Sequence, residues 1–91
     1  MSLVFEWDGE KAGANQAKHG VSFDEAATAF GDPLSVTITD PDHSGQEERF
    51  ILLGHTYGNR LLVVVHTDIG DNVRIISARL ASGMERRAYE G

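Results

Sequence analysis

The chain has 91 residues, a formal net charge of −6 and no cysteine. That length makes one domain near the lower end of the usual size range, with room for a shallow surface site or open cleft rather than a deep catalytic cavity. The missing cysteines exclude disulfides, thiolate catalysis and a sulfur-bound zinc site, and 41% apolar with 24% charged residues excludes wholesale disorder.

Residues 1–8 carry neither a basic head nor a long apolar run, so no secretory signal is expected. The longest apolar run, residues 61–65, falls far short of the roughly 20 residues of a membrane helix. A soluble, cytoplasmic protein without a membrane partner is expected. Leu3, Phe5 and Trp7 alternate with Val4 and Glu6, which predicts a short strand. Asp8 then caps a helix over residues 9–19, with Glu10 in its first turn and Gly20 at the left-handed stop. Its inner residues are read as Ala12, Ala14 and Ala17. Ser22 and Glu25 form a capping box, flanked by Val21 and Ala26 as a hydrophobic staple. Phe23, Ala26, Ala27 and Phe30 mark the buried face of a second helix, which Gly31-Asp32-Pro33 ends.

Beyond Pro33 the period changes from helical to extended. Leu34, Val36 and Ile38 alternate with polar residues in a half-buried strand, and residues 40–47 read as a polar loop. A strand over residues 50–57, a tight turn at residues 57–60 and a strand over residues 61–67 follow, the last apolar enough to be covered on both faces. Residues 73–80 form the final strand. Ser82-Gly83-Met84-Glu85 repeats the capping box and starts a short helix through Tyr89. The order predicts an α+β fold: an antiparallel sheet of four to five strands, two N-terminal helices and a short C-terminal helix, in a single domain over residues 1–91.

Charge is unevenly spread along this chain. Residues 74–91 hold Arg74, Arg79, Arg86 and Arg87 against Glu85 and Glu90, net +2, whereas residues 1–73 are net −8. Arginine binds phosphate oxygens in pairs through a planar group that stays charged. Strict alternation would point Arg74 and Arg79 to opposite faces unless the strand bulges. Arg79, Arg86 or Arg87, and Tyr89 make the strongest phosphate-handling group; the competing reading is a network of arginines with Glu85 and Glu90. Among the histidines, His43 reads as solvated, His55 as a partly covered sheet residue and His66 as a structural imidazole. His19, after Lys18, sits where a helix dipole favours cations. Any of them near neutral pKa is also a candidate acid or base. No histidine pair has metal spacing, and no phosphate-cradling glycine loop or serine elbow occurs.

Several strings, in order, carry a resemblance. They are Phe5-Glu6-Trp7-Asp8, Lys11, Asn15, Lys18-His19-Gly20-Val21-Ser22-Phe23-Asp24-Glu25-Ala26, Asp32-Pro33, Glu48-Arg49 and Gly54. Residues 60–67, residues 74–79, Glu85-Arg86-Arg87 and Tyr89 complete the set. The chain closely resembles the BrnT family, the toxin half of BrnT–BrnA type II toxin–antitoxin systems. The resemblance implies a fold similar to RelE and ParE toxins and a ribonuclease that slows translation. It also implies neutralisation by a BrnA-like antitoxin, through which alone DNA is contacted. Within RelE-like toxins, basic and tyrosine side chains orient the 2′-hydroxyl and stabilise the crowded phosphate, with no metal or cofactor. Carried over, Lys18, His19, His66, Arg79 and Tyr89 are the candidate catalytic residues, and Arg74, Arg86 and Arg87 the candidates for holding RNA phosphate. Two alternatives stand beside this reading: a binding module of the same shape without catalysis, acting only through its partner, and an inactivated toxin relic.

Overall fold

A computed structural model describes residues 3–41 and 48–91; His43 and Glu47 of the polar loop lie outside them. In chain order come β1 (Val4–Glu6), α1 (Gly9–His19), α2 (Phe23–Thr28) with a 3-10 turn (Ala29–Gly31), β2 (Val36–Thr39), β3 (Phe50–His55), β4 (Leu61–Ile69), β5 (Asn72–Leu80) and α3 (Gly83–Glu90). The strands form one sheet in the order β1-β5-β4-β3-β2. From β2 to β5 each neighbour is antiparallel, while β1 returns parallel to β5, with Phe5 opposite Val73. The expected α+β architecture is therefore present, with five strands and a single parallel pair at one edge.

The helices start where their caps are. Asp8 accepts from the amides of Glu10 and Lys11, and Gly20 closes α1 at φ 68°, donating to the Gln16 carbonyl. Ser22 accepts from the Glu25 amide, but the reciprocal half of that expected capping box does not form. Instead the Glu25 carboxylate takes the Arg60 fork and the Thr56 hydroxyl, tying the start of α2 to the β3–β4 hairpin. The arginine outcompetes a local amide because its Nε and Nη2 both fit one carboxylate. At β3, Gly54 is required: a Cβ there would stand 3.0 Å from the Ala29 carbonyl and the Ser35 Cβ.

The core lies between α1, α2 and one face of the sheet, where Val21, Phe23, Ala26 and Ala29 meet Leu52, Leu62, Val64, Ile75 and Ala78. Alanines do not form the inner face of α1: Ala14 and Ala17 are exposed, and the buried residue is Asn15. The reason is a gap in the ladder. Strand β1 pairs only with residues 72–74, so the outer edge of β5 is open beyond Arg74. Asn15 fills it, accepting from the Ala78 amide (3.1 Å) and donating to the carbonyls of Ala78 (2.9 Å) and Val21 (3.0 Å). One side-chain amide thus stands in for a missing strand.

A register shift between Val65 and His66 gives β5 one residue more than β4, because Val65 faces Ser77 and His66 faces Ile75. Ile76 is the extra residue. It reverses the alternation, so Val73 and Ile75 before it and Ala78 after it all point into the core. Arg74 and Arg79 consequently share the reverse face, the outcome that strict alternation forbids. Beside the shift, His66 is 6% exposed, edge-on to Phe30 and stacked on Phe50, with both ring nitrogens unpartnered.

Two stability outcomes follow from these buried groups. Asn15→Ala leaves three backbone groups without partners and should cost roughly 3 kcal/mol, read as a fall in the urea midpoint; an unchanged midpoint would show that water replaces the amide. Burial pushes the His66 imidazole below its ordinary 6.5, against a smaller upward pull from Asp68. The unfolded chain therefore binds that proton more tightly, and the stability it contributes is full above pH 6.5 and drains as pH falls towards the lower folded value. Unfolding midpoints taken from pH 7.5 to 5.5 should fall in the wild-type chain and fall less in His66→Phe.

Candidate functional site

The reverse face of the sheet carries α3. The capping box that opens this helix is complete: Ser82 accepts from the Glu85 amide and Glu85 accepts from the Ser82 amide. The same Glu85 carboxylate grips Arg79 through two parallel bonds of 2.8 and 2.7 Å. With that guanidinium as the main cause, and burial opposing it, the Glu85 carboxyl is lowered to about 2, and Arg79 is raised in return. One helical turn on, Tyr89 donates from its hydroxyl to Asp32 (2.6 Å) and meets the His55 ring edge-on at 5.0 Å. Glu85 and Tyr89 are four residues apart and so lie on one side of α3, above β5 and β3 respectively. Arg86 and Arg87 are exposed and make no ion pair among the described residues. Little apolar contact holds the helix: none of its residues is buried, and Met84 is 75% exposed.

Asp32 is the junction of this corner. Its second oxygen accepts from the His55 amide (2.8 Å) as well as from Tyr89, and its first accepts from the Leu34 amide (2.9 Å). The His55 amide is the largest cause that holds the Asp32 carboxyl below the usual carboxylate range, followed by the Tyr89 hydroxyl, and the same contact raises Tyr89.

A second set of residues lies at the open edge of β5. A cleft of about 330 Å³ is lined by Glu6, Trp7, Asp8, Lys11, Arg74 and the Ile75–Ile76 backbone region. A neighbouring cleft of about 250 Å³ shares Lys11 and Ile76 and adds Lys18, His19 and Ser77. Arg74 is not free there: its Nε and Nη2 both donate to Glu6, whose other oxygen takes the Asn72 amide group, and these contacts lower the Glu6 carboxyl.

The sequence-predicted residues therefore fall in three places. Arg79, Arg86, Arg87 and Tyr89 gather around α3. Lys18, His19 and Arg74 border the clefts along α1 and β5. His66 sits behind the sheet among aromatic rings and reaches neither group. The strand arginines each face a carboxylate, as the competing network reading expects, although for Arg74 the partner is Glu6 rather than Glu85 or Glu90. Sequence reasoning passed over Asp32, taken as a helix stop, and gave His55 only a structural place. Their contacts span 23 and 57 residues, so no local spacing marks them. Among the described residues no cluster of histidines and carboxylates is arranged to hold a metal ion, and no helix is long and apolar enough to cross a membrane.

Comparison with known proteins matches this chain at two levels. The family described as the ribonuclease toxin, BrnT, of type II toxin-antitoxin systems matches residues 7–85. The fold is similar to that of the Brucella abortus ribonuclease toxin BrnT, known from a crystal structure at 1.1 Å resolution. The two are 27% identical with a TM-score of 0.66, over 89% of this chain and 99% of the other. None of the curated protein sequences matches the chain. Since the matched region runs from the end of β1 into the first turn of α3, and so takes in both helices, four strands and the Arg79–Glu85 corner, the chain belongs to the BrnT family of ribonuclease toxins of type II toxin–antitoxin systems.

Proposed function

We propose that residues 1–91 act as one cytoplasmic toxin domain that cleaves RNA internally and slows translation, and that a BrnA-like antitoxin holds it inactive. The attacking group is the 2′-hydroxyl of the RNA itself. Such a reaction asks the protein for proton transfer and for stabilisation of charge on a crowded phosphate, and neither demand requires a metal. The observation that supports the reading is the α3 corner, where Arg79 and Tyr89 lie on one side of the helix and Arg86 and Arg87 add exposed cations along it. Arg86 and Arg87 are ready for phosphate; Arg79 is held by Glu85 in a pair whose side chains are 44% and 33% exposed. Water reaches both side chains, and a phosphodiester offers Arg79 the same two-oxygen geometry as Glu85, so it competes for the fork directly. Lys18, His19 and Arg74 extend the cationic path along the β5 edge, and His66 acts through the packing of β4 rather than by touching RNA.

The acidic remainder suits the partner. Residues 1–73, net −8, oppose a polyanion but attract a basic antitoxin segment, and opposite fields speed association. DNA is then met only through the antitoxin. The paired state of Arg74 and Arg79 favours a second reading, a toxin-shaped module that binds its partner without catalysis.

Purified protein and a single-stranded RNA separate the two. Cleavage should persist in EDTA and leave 2′,3′-cyclic phosphate ends; intact RNA would leave only the binding module. Arg79→Ala should lower kcat by about 100-fold or more, the usual scale for losing one group that stabilises transition-state charge. Glu85→Gln keeps a helix cap of the same kind while freeing Arg79. It should tighten RNA binding several-fold with an unchanged circular dichroism spectrum, and weaker binding would contradict the displacement step.

A further inference from the structure

We infer that His55 is the general base of the cleavage reaction, with Asp32 and Tyr89 as its positioning residues; the inference rests on the ribonuclease reading above. His55 ends β3 on the reverse face of the sheet, the face that α3 covers, and 30% of its side chain is open to water. Its ring makes no hydrogen bond among the described residues, so Nε2 is available to a ligand. Nδ1 stands 3.8 Å from Asp32 Oδ2, longer than a hydrogen bond but within ion-pair reach once the ring gains a proton. That carboxylate is only 9% exposed and cannot swing away, because it also accepts from the His55 amide and the Tyr89 hydroxyl. Tyr89 fixes the ring from a second direction by its edge-on contact at 5.0 Å. Held at that distance, the Asp32 carboxylate orients the imidazole and lies beside the ring that proton abstraction makes positive.

Arg86 completes the group. It precedes Tyr89 by one turn, so the two side chains are neighbours on the surface of α3, and its guanidinium is exposed. In the step assigned here, His55 Nε2 takes the 2′-hydroxyl proton as O2′ attacks phosphorus. The bond from phosphorus to the 5′-oxygen breaks, that oxygen takes a proton from water, and the fragments end in a 2′,3′-cyclic phosphate and a 5′-hydroxyl. The imidazolium then returns its proton to solvent. No oxidant, reductant or metal enters the balance. A purely structural role for the cluster explains the contacts of Asp32 and Tyr89, but it leaves unexplained why His55 keeps a ring nitrogen open beside them.

The test uses the full chain and a short single-stranded RNA, with its all-2′-deoxy counterpart as the uncleavable control. His55→Ala should remain folded by circular dichroism, lose about 100-fold or more in kcat with KM little changed, and regain activity when imidazole is added. His55→Gln should be equally slow, and Asp32→Asn and Tyr89→Phe should lower kcat rather than raise KM. Undiminished cleavage by His55→Ala overturns this assignment and leaves the ribonuclease reading intact. So does a slow His55→Ala that imidazole fails to rescue while His55→Gln keeps full rate, since that pattern marks a packing role. RNA left whole by the wild-type chain overturns both.

Discussion

Between Arg74 and Arg79 the last strand carries one residue more than the strand it pairs with, and the arrangement of the reverse face depends on that residue. With Ile76 inserted, Ile75 and Ala78 both enter the core, and both arginines emerge on the side away from α1 and α2. Without it, the core side chains of one half of β5 would be on the wrong face, because a slip of one residue inverts a strand. Arg79 would then point into the core rather than at α3, and Glu85 would cap its helix with no guanidinium to hold. The same irregularity lies beside His66, whose ring is held between Phe30 and Phe50 by aromatic contact.

The two faces of the sheet are held by different forces. On the helix side the contacts are apolar and fully buried, supplemented by the Asn15 amide where the β5 edge lacks a strand. On the reverse side α3 buries no residue and is fastened by the Arg79–Glu85 pair at its start and the Tyr89–Asp32 bond near its end. Segments fastened by exposed polar contacts open at lower free energy than packed cores. Under the proposed function, a substrate that competes for those contacts would shift α3 before it disturbed the core beneath α1 and α2, a separation that suits a small domain with a thin stability margin.

Much of this was legible in the residues. Caps and stops at Asp8, Gly20, Ser22 and Ser82 place the helices because each satisfies its own backbone locally; alternation in residues 34–39 and the unbroken apolar run of residues 61–67 place strands, although the first of these is exposed along its length rather than half-buried. The parallel return of β1 and the burial of Asn15 were not legible, since both are decided by pairing between segments some sixty residues apart; nor was the bulge at Ile76, which is set by the register of β5 against β4. The site divides along the same line. Arg79, Arg86, Arg87 and Tyr89 announce themselves by clustering near one end of the chain. Asp32 and His55 do not, because their only link to Tyr89 is three-dimensional, and Glu25 hides its bond to Arg60 behind a capping-box pattern.

The claim at the centre is that the Arg79 fork exchanges a carboxylate for an RNA phosphate. A crystal structure with an uncleavable 2′-O-methyl oligoribonucleotide bound tests it most directly. The account requires a phosphate in the Arg79 fork, Glu85 displaced from it and the neighbouring 2′-oxygen beside His55. A bound strand lying elsewhere, with the Arg79–Glu85 pair intact, would contradict it.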